Sequence, residues 1–277
     1  MGELYLCATP LGNLEDITLR ALRVLREADL IAAEDTRHTR KLLSHYGIHT
    51  PTTSFYEHNQ AVKIPYLLEE LRKGKRIALV TDAGLPGIAD PGYPLVRAAL
   101  DDGHRVTVVP GASAVVAALV ISGFPPQPFY FHGFLPREKG ERRELLRELK
   151  EEARTGVFYE VPHRLLETLE DFVEVWGSGR RLCIARELTK QFEEVLRCTF
   201  AEALEHFEKN PPRGEFTIVT EGKREDEVPP AADPLHVREA VDALIRAGAD
   251  LTAACKGVGR ALGLSRSEVY KIYHRSK

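Results

Sequence analysis

The stretch Thr81-Asp82-Ala83-Gly84-Leu85-Pro86-Gly87-Ile88-Ala89-Asp90-Pro91-Gly92 constrains this chain more than any other. It follows the apolar run Ile77–Thr81, which reads as a buried strand, and precedes a predicted helix over 94–102. Such a loop lies at the carboxyl edge of a parallel sheet, where open α/β sheets bind ligands. Gly84, Gly87 and Gly92 let backbone approach a ligand, and Pro86 and Pro91 stiffen the path. Asp82 and Asp90 can attract a cationic ligand or accept hydrogen bonds from its amines and hydroxyls. A phosphate cradle carries a lysine and no acids, so a P-loop is disfavoured. A plain strand-to-helix turn would contain similar residues. Two further loops share the address: Thr9-Pro10-Leu11-Gly12-Asn13 after the first strand, and Pro110-Gly111-Ala112-Ser113 at the opening of a helix with free N–H groups. Three loops on one sheet edge favour a pocket.

The hydrophobic pattern extends this frame. Strands are predicted at Leu4–Ala8, Leu30–Ala33, Ile77–Thr81 and Val106–Val109. Helices are predicted around Leu19–Leu25 and over 59–73, 94–102 and 113–122. Their alternation implies a mostly parallel, layered sheet. The proline-rich break Gly123–Pro128 separates an N-terminal α/β domain, 1–123, from a second, 124–222. The second has predicted strands Phe129–Phe134, Val157–Glu160, Leu182–Arg186, Val195–Phe200 and Phe216–Thr220, and helices over 138–153 and 163–176. A polar linker, 223–234, leads to three predicted helices, about 236–247, 250–262 and 266–275, the last with Ser265 as its N-cap.

Composition excludes several classes. With 43% apolar and 29% charged residues, the 277-residue chain can bury a real core. Its apolar runs are far shorter than a membrane span, and no signal peptide is expected at the N-terminus. Cys7, Cys183, Cys198 and Cys255 show neither disulfide nor metal-ligand spacing, which fits a reducing cytoplasm. The net charge of −3 argues against a general nucleic-acid coat protein. Yet residues 235–277 hold eight Lys/Arg against four Asp/Glu, so the excess of acid lies wholly in the rest of the chain. That asymmetry suggests an acidic enzyme body with a basic accessory module.

The loops above, with Ala33-Glu34-Asp35-Thr36-Arg37-His38-Thr39, resemble the tetrapyrrole methylase superfamily. More narrowly the chain resembles the ribosomal small-subunit RNA 2′-O-ribose cytidine methyltransferases. The second half carries the same likeness in Gly133-Phe134-Leu135-Pro136, Phe158-Tyr159-Glu160, Pro162-His163-Arg164, Ala185-Arg186-Glu187-Leu188-Thr189-Lys190 and Gly214-Glu215. It runs through residues 3–222. Leu85-Pro86-Gly87-Ile88-Ala89 departs from the branch's usual Thr-Pro pattern, changing side chains but not the loop's frame. The resemblance implies a two-domain α/β fold of tetrapyrrole-methylase type, not the Rossmann type of methyltransferase, with a small C-terminal helical module. It further implies a homodimer that needs no metal and clasps S-adenosylmethionine between the domains. The implied donor contacts are Leu11, Gly12, Asp82, Ala83, Gly84, Leu85, Ser113 and Ala114 in the first domain. Tyr159, Arg186, Gly214 and Glu215 are those of the second. The implied acceptor is a cytidine ribose of 16S ribosomal RNA in the small subunit. A methylase of a tetrapyrrole or other small molecule is the alternative, since fold does not fix function.

Methyl transfer from a sulfonium needs alignment and exclusion of water, and a poor nucleophile such as a ribose hydroxyl gains from a proton acceptor. Glu34, Asp35, Arg186 and Glu187 are the expected residues near the transfer path, with His38, His58 and Glu160 as further loop candidates. Glu34-Asp35 also suits a helix cap, and Arg186-Glu187 a structural ion pair. Arg37, His38, Arg260, Arg266, Lys271 and Arg275 are the expected RNA contacts, with Tyr270 and Tyr273 between the C-terminal cations; alternatively that module is a dimer contact with the tyrosines in its core. On the 138–153 helix, Arg137, Lys139, Arg142, Arg143 and Arg147 alternate with glutamates, which favours a solvated face over phosphate contact.

Overall fold

The computed structural model describes residues 2–223, 234–262 and 264–274. Most of the predicted linker and the last predicted RNA contact, Arg275, lie outside the described residues. The chain divides into two compact units, residues 1–222 and 223–277. Among the described residues no helix is long and apolar enough to cross a membrane.

The first sheet contains β1 (Glu3–Cys7), β2 (Leu30–Ala33), β3 (Thr52–Ser54), β4 (Arg76–Val80) and β5 (Arg105–Val109), in the order β3-β2-β4-β1-β5. Every pairing is parallel, so all carboxyl ends share one edge. Both faces are buried, which is why β2 and β4 read as continuous apolar runs. Ile31, Ala33, Ala78 and Val80 pack under α1 (Leu19–Glu27) and α2 (Thr36–His45). Leu30, Ala32, Ile77 and Leu79 pack under α3 (Gln60–Arg72) and α4 (Tyr93–Asp101). Thr18 caps α1, its hydroxyl accepting from Ala21 N–H at 3.0 Å. Two elements here lack a strong sequence signal: the three-residue β3, and α2, whose start alone was marked by Asp35.

The second sheet contains β6 (Phe129–Phe134), β7 (Thr155–Glu160), β8 (Arg181–Arg186), β9 (Glu194–Thr199) and β10 (Phe216–Thr220), in the order β6-β7-β10-β8-β9. Only β6 and β7 run parallel; β10 is antiparallel to both neighbours, and β9 to β8. One face packs on α6 (Lys139–Glu148), α7 (Leu165–Trp176) and α8 (Phe200–Lys209) through Phe158, Phe172, Trp176 and Phe200. The sequence reading had no helix at α8, although Thr199 and Glu202 form a capping box there. The other face packs on α5 (Ala114–Ser122), through Val115, Ala118 and Leu119 against Val157, Cys183 and Val219. Thus α5 leaves the first sheet and covers the second, although it precedes the proline-rich break.

The charged helix departs from the solvated face expected of it. Arg137, Lys139 and Arg147 are exposed, but Arg142 is fully buried. Its Nε donates to Asp171 Oδ2 at 2.6 Å, and Arg143 Nε donates to Asp171 Oδ1 at 2.7 Å. The i,i+4 pattern of Glu and Arg is the same whether a helix faces water or a complementary acid.

In the second unit, α9 (Pro234–Arg246), α10 (Leu251–Leu262) and α11 (Arg266–His274) share a core of Val237, Val241, Ala254, Val258, Val269 and Ile272. Ser265 caps α11, accepting from Glu268 N–H at 3.2 Å while Glu268 accepts from Ser265 N–H at 2.7 Å.

Candidate donor cleft

Backbone contacts bind the loops at the first sheet's carboxyl edge together. Thr9 and Gly84 exchange two backbone hydrogen bonds, at 2.9 and 3.1 Å, and the Thr9 hydroxyl donates to Thr81 O at 3.0 Å. Gly84 sits at φ +76°, a conformation that favours glycine. Gly111 is required for a different reason: a Cβ there would lie 2.8 Å from the Ala8 methyl.

The two acidic loops hold each other reciprocally. Asp82 N–H donates to Glu34 Oε2 and Asp35 N–H donates to Asp82 Oδ1, both at 3.2 Å. Asp35 caps α2, accepting from Arg37 N–H at 2.7 Å and gripping the Arg37 guanidinium at 2.9 Å. The Arg37 side chain is the main reason its carboxyl is lowered to about 2. Burial pushes Glu34 up, and the nearby Asp82 and Asp35 charges add to that. The helix-capping alternative therefore holds for Asp35. Arg37 is exposed but engaged with Asp35, and His38 and His58 are exposed.

In the second half, Arg186 turns to structural partners: Nε donates to Arg213 O at 2.7 Å and Nη1 to Glu194 Oε2 at 3.0 Å. Glu187, at φ +50°, accepts from Lys190 Nζ at 2.8 Å and from Glu215 N–H at 3.0 Å. Lys190 Nζ also reaches Glu215 Oε2 at 2.9 Å. Glycines make room for this cluster. A Cβ on Gly214 would lie 2.5 Å from the Glu187 carboxyl, and one on Gly12 would lie 2.3 Å from Lys190 Cγ. Glu160, 2% exposed, accepts from the Thr168 hydroxyl at 2.6 Å and Val161 N–H at 2.8 Å.

Between these loops and the second sheet lies a cleft of about 250 Å³. Of the residues expected around a donor, Leu11, Ala83, Gly84, Leu85, Ser113, Ala114, Tyr159 and Glu215 line it. Gly12, Asp82, Arg186 and Gly214 do not; they shape or brace the segments that do. None of Glu34, Asp35, Arg186 and Glu187 lines it either. Sequence reasoning did not single out Phe134, Leu188 or Thr217 as ligand contacts: Phe134 and Thr217, on strands, look like core, and Leu188, in the turn after β8, is apolar. Asp90, one of its loop's two carboxylates, lines the cleft as well. Burial, reinforced by Glu34, Asp82 and Glu215, raises it to about 6. Burial first, then Asp90 and Glu215, raises Tyr159 to about 12. The arrangement suits a ligand with an apolar ring and cationic or hydroxyl groups.

On the C-terminal unit, Arg266 and Lys271 are exposed, and Arg260 falls on α10. Tyr270 is exposed, whereas the Tyr273 hydroxyl donates to Asp242 Oδ1 at 2.6 Å.

The profile of the tetrapyrrole (corrin/porphyrin) methylases matches residues 3–204. Over 276 residues the chain is 46% identical to the ribosomal RNA small subunit methyltransferase I of Halalkalibacterium halodurans, covering 99% of this chain and 95% of that protein. A protein of the same name from Thermotoga maritima is 52% identical over 223 residues, which cover 80% of this chain and all of the relative. A crystal structure of uroporphyrin-III C-methyltransferase from Thermus thermophilus, complexed with S-adenosylhomocysteine, superposes with a TM-score of 0.59 at 19% identity. The match covers 79% of this chain and 97% of that one.

Proposed function

The chain belongs to the tetrapyrrole (corrin/porphyrin) methylases, and from that premise we propose that it is an S-adenosylmethionine-dependent methyltransferase of small-subunit ribosomal RNA, acting on the 2′-oxygen of a cytidine ribose in 16S RNA. One observation carries the reading: 46% identity, over nearly the whole of both chains, to a ribosomal RNA small subunit methyltransferase. The tetrapyrrole-methylating neighbours share the fold at far lower identity.

The cleft fits the donor. Leu11, Leu85 and Phe134 offer apolar surface for a ring, and the strand-end loops offer backbone groups. Glu215 offers a carboxylate to cationic and hydroxyl groups of the donor. S-adenosylmethionine, when bound, supplies an electrophilic methyl group on a sulfonium sulfur. The chain's part is to hold that group in line with the acceptor oxygen and keep water away. Glu34 and Asp82 set the loop's position, Lys190 holds Glu215, and α5 walls the cleft with Ser113, Ala114 and Val115. The exposed cations Arg266 and Lys271 belong to a module that adds phosphate contacts. The protein works as a homodimer in the cytoplasm, on RNA within the small ribosomal subunit.

Purified protein is incubated with labelled S-adenosylmethionine and small-subunit RNA or subunits, and the product is mapped by alkaline hydrolysis. Resistance at one cytidine step is expected, because a 2′-O-methyl blocks cleavage there. Label on a base, or on a precorrin pool but not RNA, refutes the reading.

A further inference from the structure

We propose that Asp90 is the proton acceptor of the transfer step, taking the proton of the attacking ribose hydroxyl. This rests on the methyl-transfer reading above. The argument begins with how the acids around the cleft are engaged. Glu160 is committed to Thr168 and Val161, and Glu215 to Lys190. Glu34 and Asp82 hold each other's loops, Asp35 holds Arg37, and Glu187 holds Lys190. Among the described residues, the Asp90 carboxylate lines the cleft without a hydrogen bond or ion pair of its own.

Its position suits a macromolecular acceptor. Asp90 is half-buried, and the two residues before it, Ile88 and Ala89, are exposed while also lining the cleft. The carboxylate therefore stands where the apolar cleft opens to solvent, within reach of a nucleoside arriving from outside.

Its surroundings suit a base. The charged groups facing it are Glu34 and Asp82 from the first sheet's loops and Glu215 from the start of β10; Tyr159 faces it from β7. Lys190 offsets Glu215, but among the described residues no cation pairs with Glu34, Asp82 or Asp90 itself. Burial and these like charges bring Asp90 to about 6, close to where a general base is most effective. Tyr159, raised to about 12, keeps its proton. Burial raises Glu187, but Lys190 and Glu215 N–H lower it more, which makes it a weak proton acceptor. In the step, the 2′-oxygen bonds to the methyl carbon and the carbon–sulfur bond breaks. Its electron pair goes to sulfur, turning the sulfonium into a neutral thioether, and the hydroxyl proton passes to an Asp90 carboxylate oxygen.

The test compares full-length wild type with Asp90→Asn and Asp90→Glu. Calorimetry measures S-adenosylhomocysteine binding, single-turnover rates of methyl transfer to small-subunit RNA are followed from pH 5 to 9, and unfolding is followed over the same range. Asp90→Asn should bind within about twofold of wild type yet transfer roughly 10²–10⁴-fold more slowly. The wild-type rate should fall below about pH 6, a limb that Asp90→Asn lacks and Asp90→Glu retains. Unfolding gives a readout independent of turnover. Because the folded state holds this proton more tightly than the unfolded chain does, the Asp90 contribution to stability is lost as pH rises from the ordinary carboxylate range through about 6, so wild type should lose more stability over that range than Asp90→Asn, which keeps only the contribution of Glu34. A wild-type single-turnover rate in Asp90→Asn overturns the base role and leaves methyl transfer standing. So does a loss of S-adenosylhomocysteine affinity as large as the loss of rate, which would make Asp90 a donor contact. Wild type that binds S-adenosylhomocysteine but methylates no RNA overturns the functional reading, and the proposal with it.

Discussion

Asp171→Asn should be among the most destabilising conservative substitutions in this chain. Asp171 and Arg142 both have fully buried side chains, with Nε and Oδ2 2.6 Å apart, and Arg143 engages the other carboxylate oxygen. The amide keeps the shape but removes the charge. Arg142 is then left with the Arg137 carbonyl at 3.1 Å, the Pro136 carbonyl at 3.5 Å and the Glu167 carboxylate at 3.6 Å. Breaking one side of a buried ion pair costs about 3–5 kcal/mol. At roughly 2–4 °C per kcal/mol for a body of this size, the melting temperature should fall by about 6–20 °C. The chain's single tryptophan reports on the event, since Trp176 packs in the same core and donates to Leu146 O at 2.6 Å. Urea unfolding followed by its fluorescence is the assay. Replacing both partners, Arg142→Met with Asp171→Leu, should recover most of the loss. What stays is about 1–2 kcal/mol, for the Arg137 carbonyl left without its donor and for Arg143, which loses Asp171 and keeps Glu174. An Asp171→Asn protein within about 1 kcal/mol of wild type, or a double variant weaker than the single one, would refute the reasoning.

Two further outcomes follow from the site and the C-terminal unit. Gly84→Val, at φ +76° where the backbone exchanges hydrogen bonds with Thr9, should abolish S-adenosylhomocysteine binding by calorimetry while the protein stays folded by circular dichroism; wild-type affinity would remove this loop from the donor site. Ending the chain after Gly222 should leave donor affinity unchanged, weaken RNA binding and flatten its dependence on salt, because phosphate contacts release counterions; an unchanged salt slope in a truncated protein that sediments as wild type does would exclude the docking role.

Four strands of the first sheet were legible because burial leaves apolar runs such as Leu30–Ala33; the three-residue β3 and the body of α2 were not. The second sheet was legible as strands, but not in its directions: nothing in Phe216–Thr220 says that it inserts between β7 and β8 antiparallel to both. Glycine loops were legible as the segments that line a cleft at the sheet's carboxyl edge. Which polar side chain faces the cleft was not, since that depends on partners distant in the chain. Arg186 looked like a contact until Glu194 and Arg213 claimed it, and Arg142 looked solvated until Asp171 did. Asp90 matters for the opposite reason, that no described residue claims it, and a sequence cannot display the lack of a partner.

The place of β10 has a consequence for how the molecule is made. It is the last strand of its unit in the chain yet lies third of five in its sheet, joining β6-β7 to β8-β9. During synthesis from the N-terminus, the inner edges of β7 and β8 wait open until residue 220 has emerged. A nascent chain arrested before then carries two half-sheets with unpaired inner edges, the kind of template that recruits other strands. It also lacks Glu215, Phe216 and Thr217, which line the cleft. The cleft and the sheet are therefore completed by the same few residues.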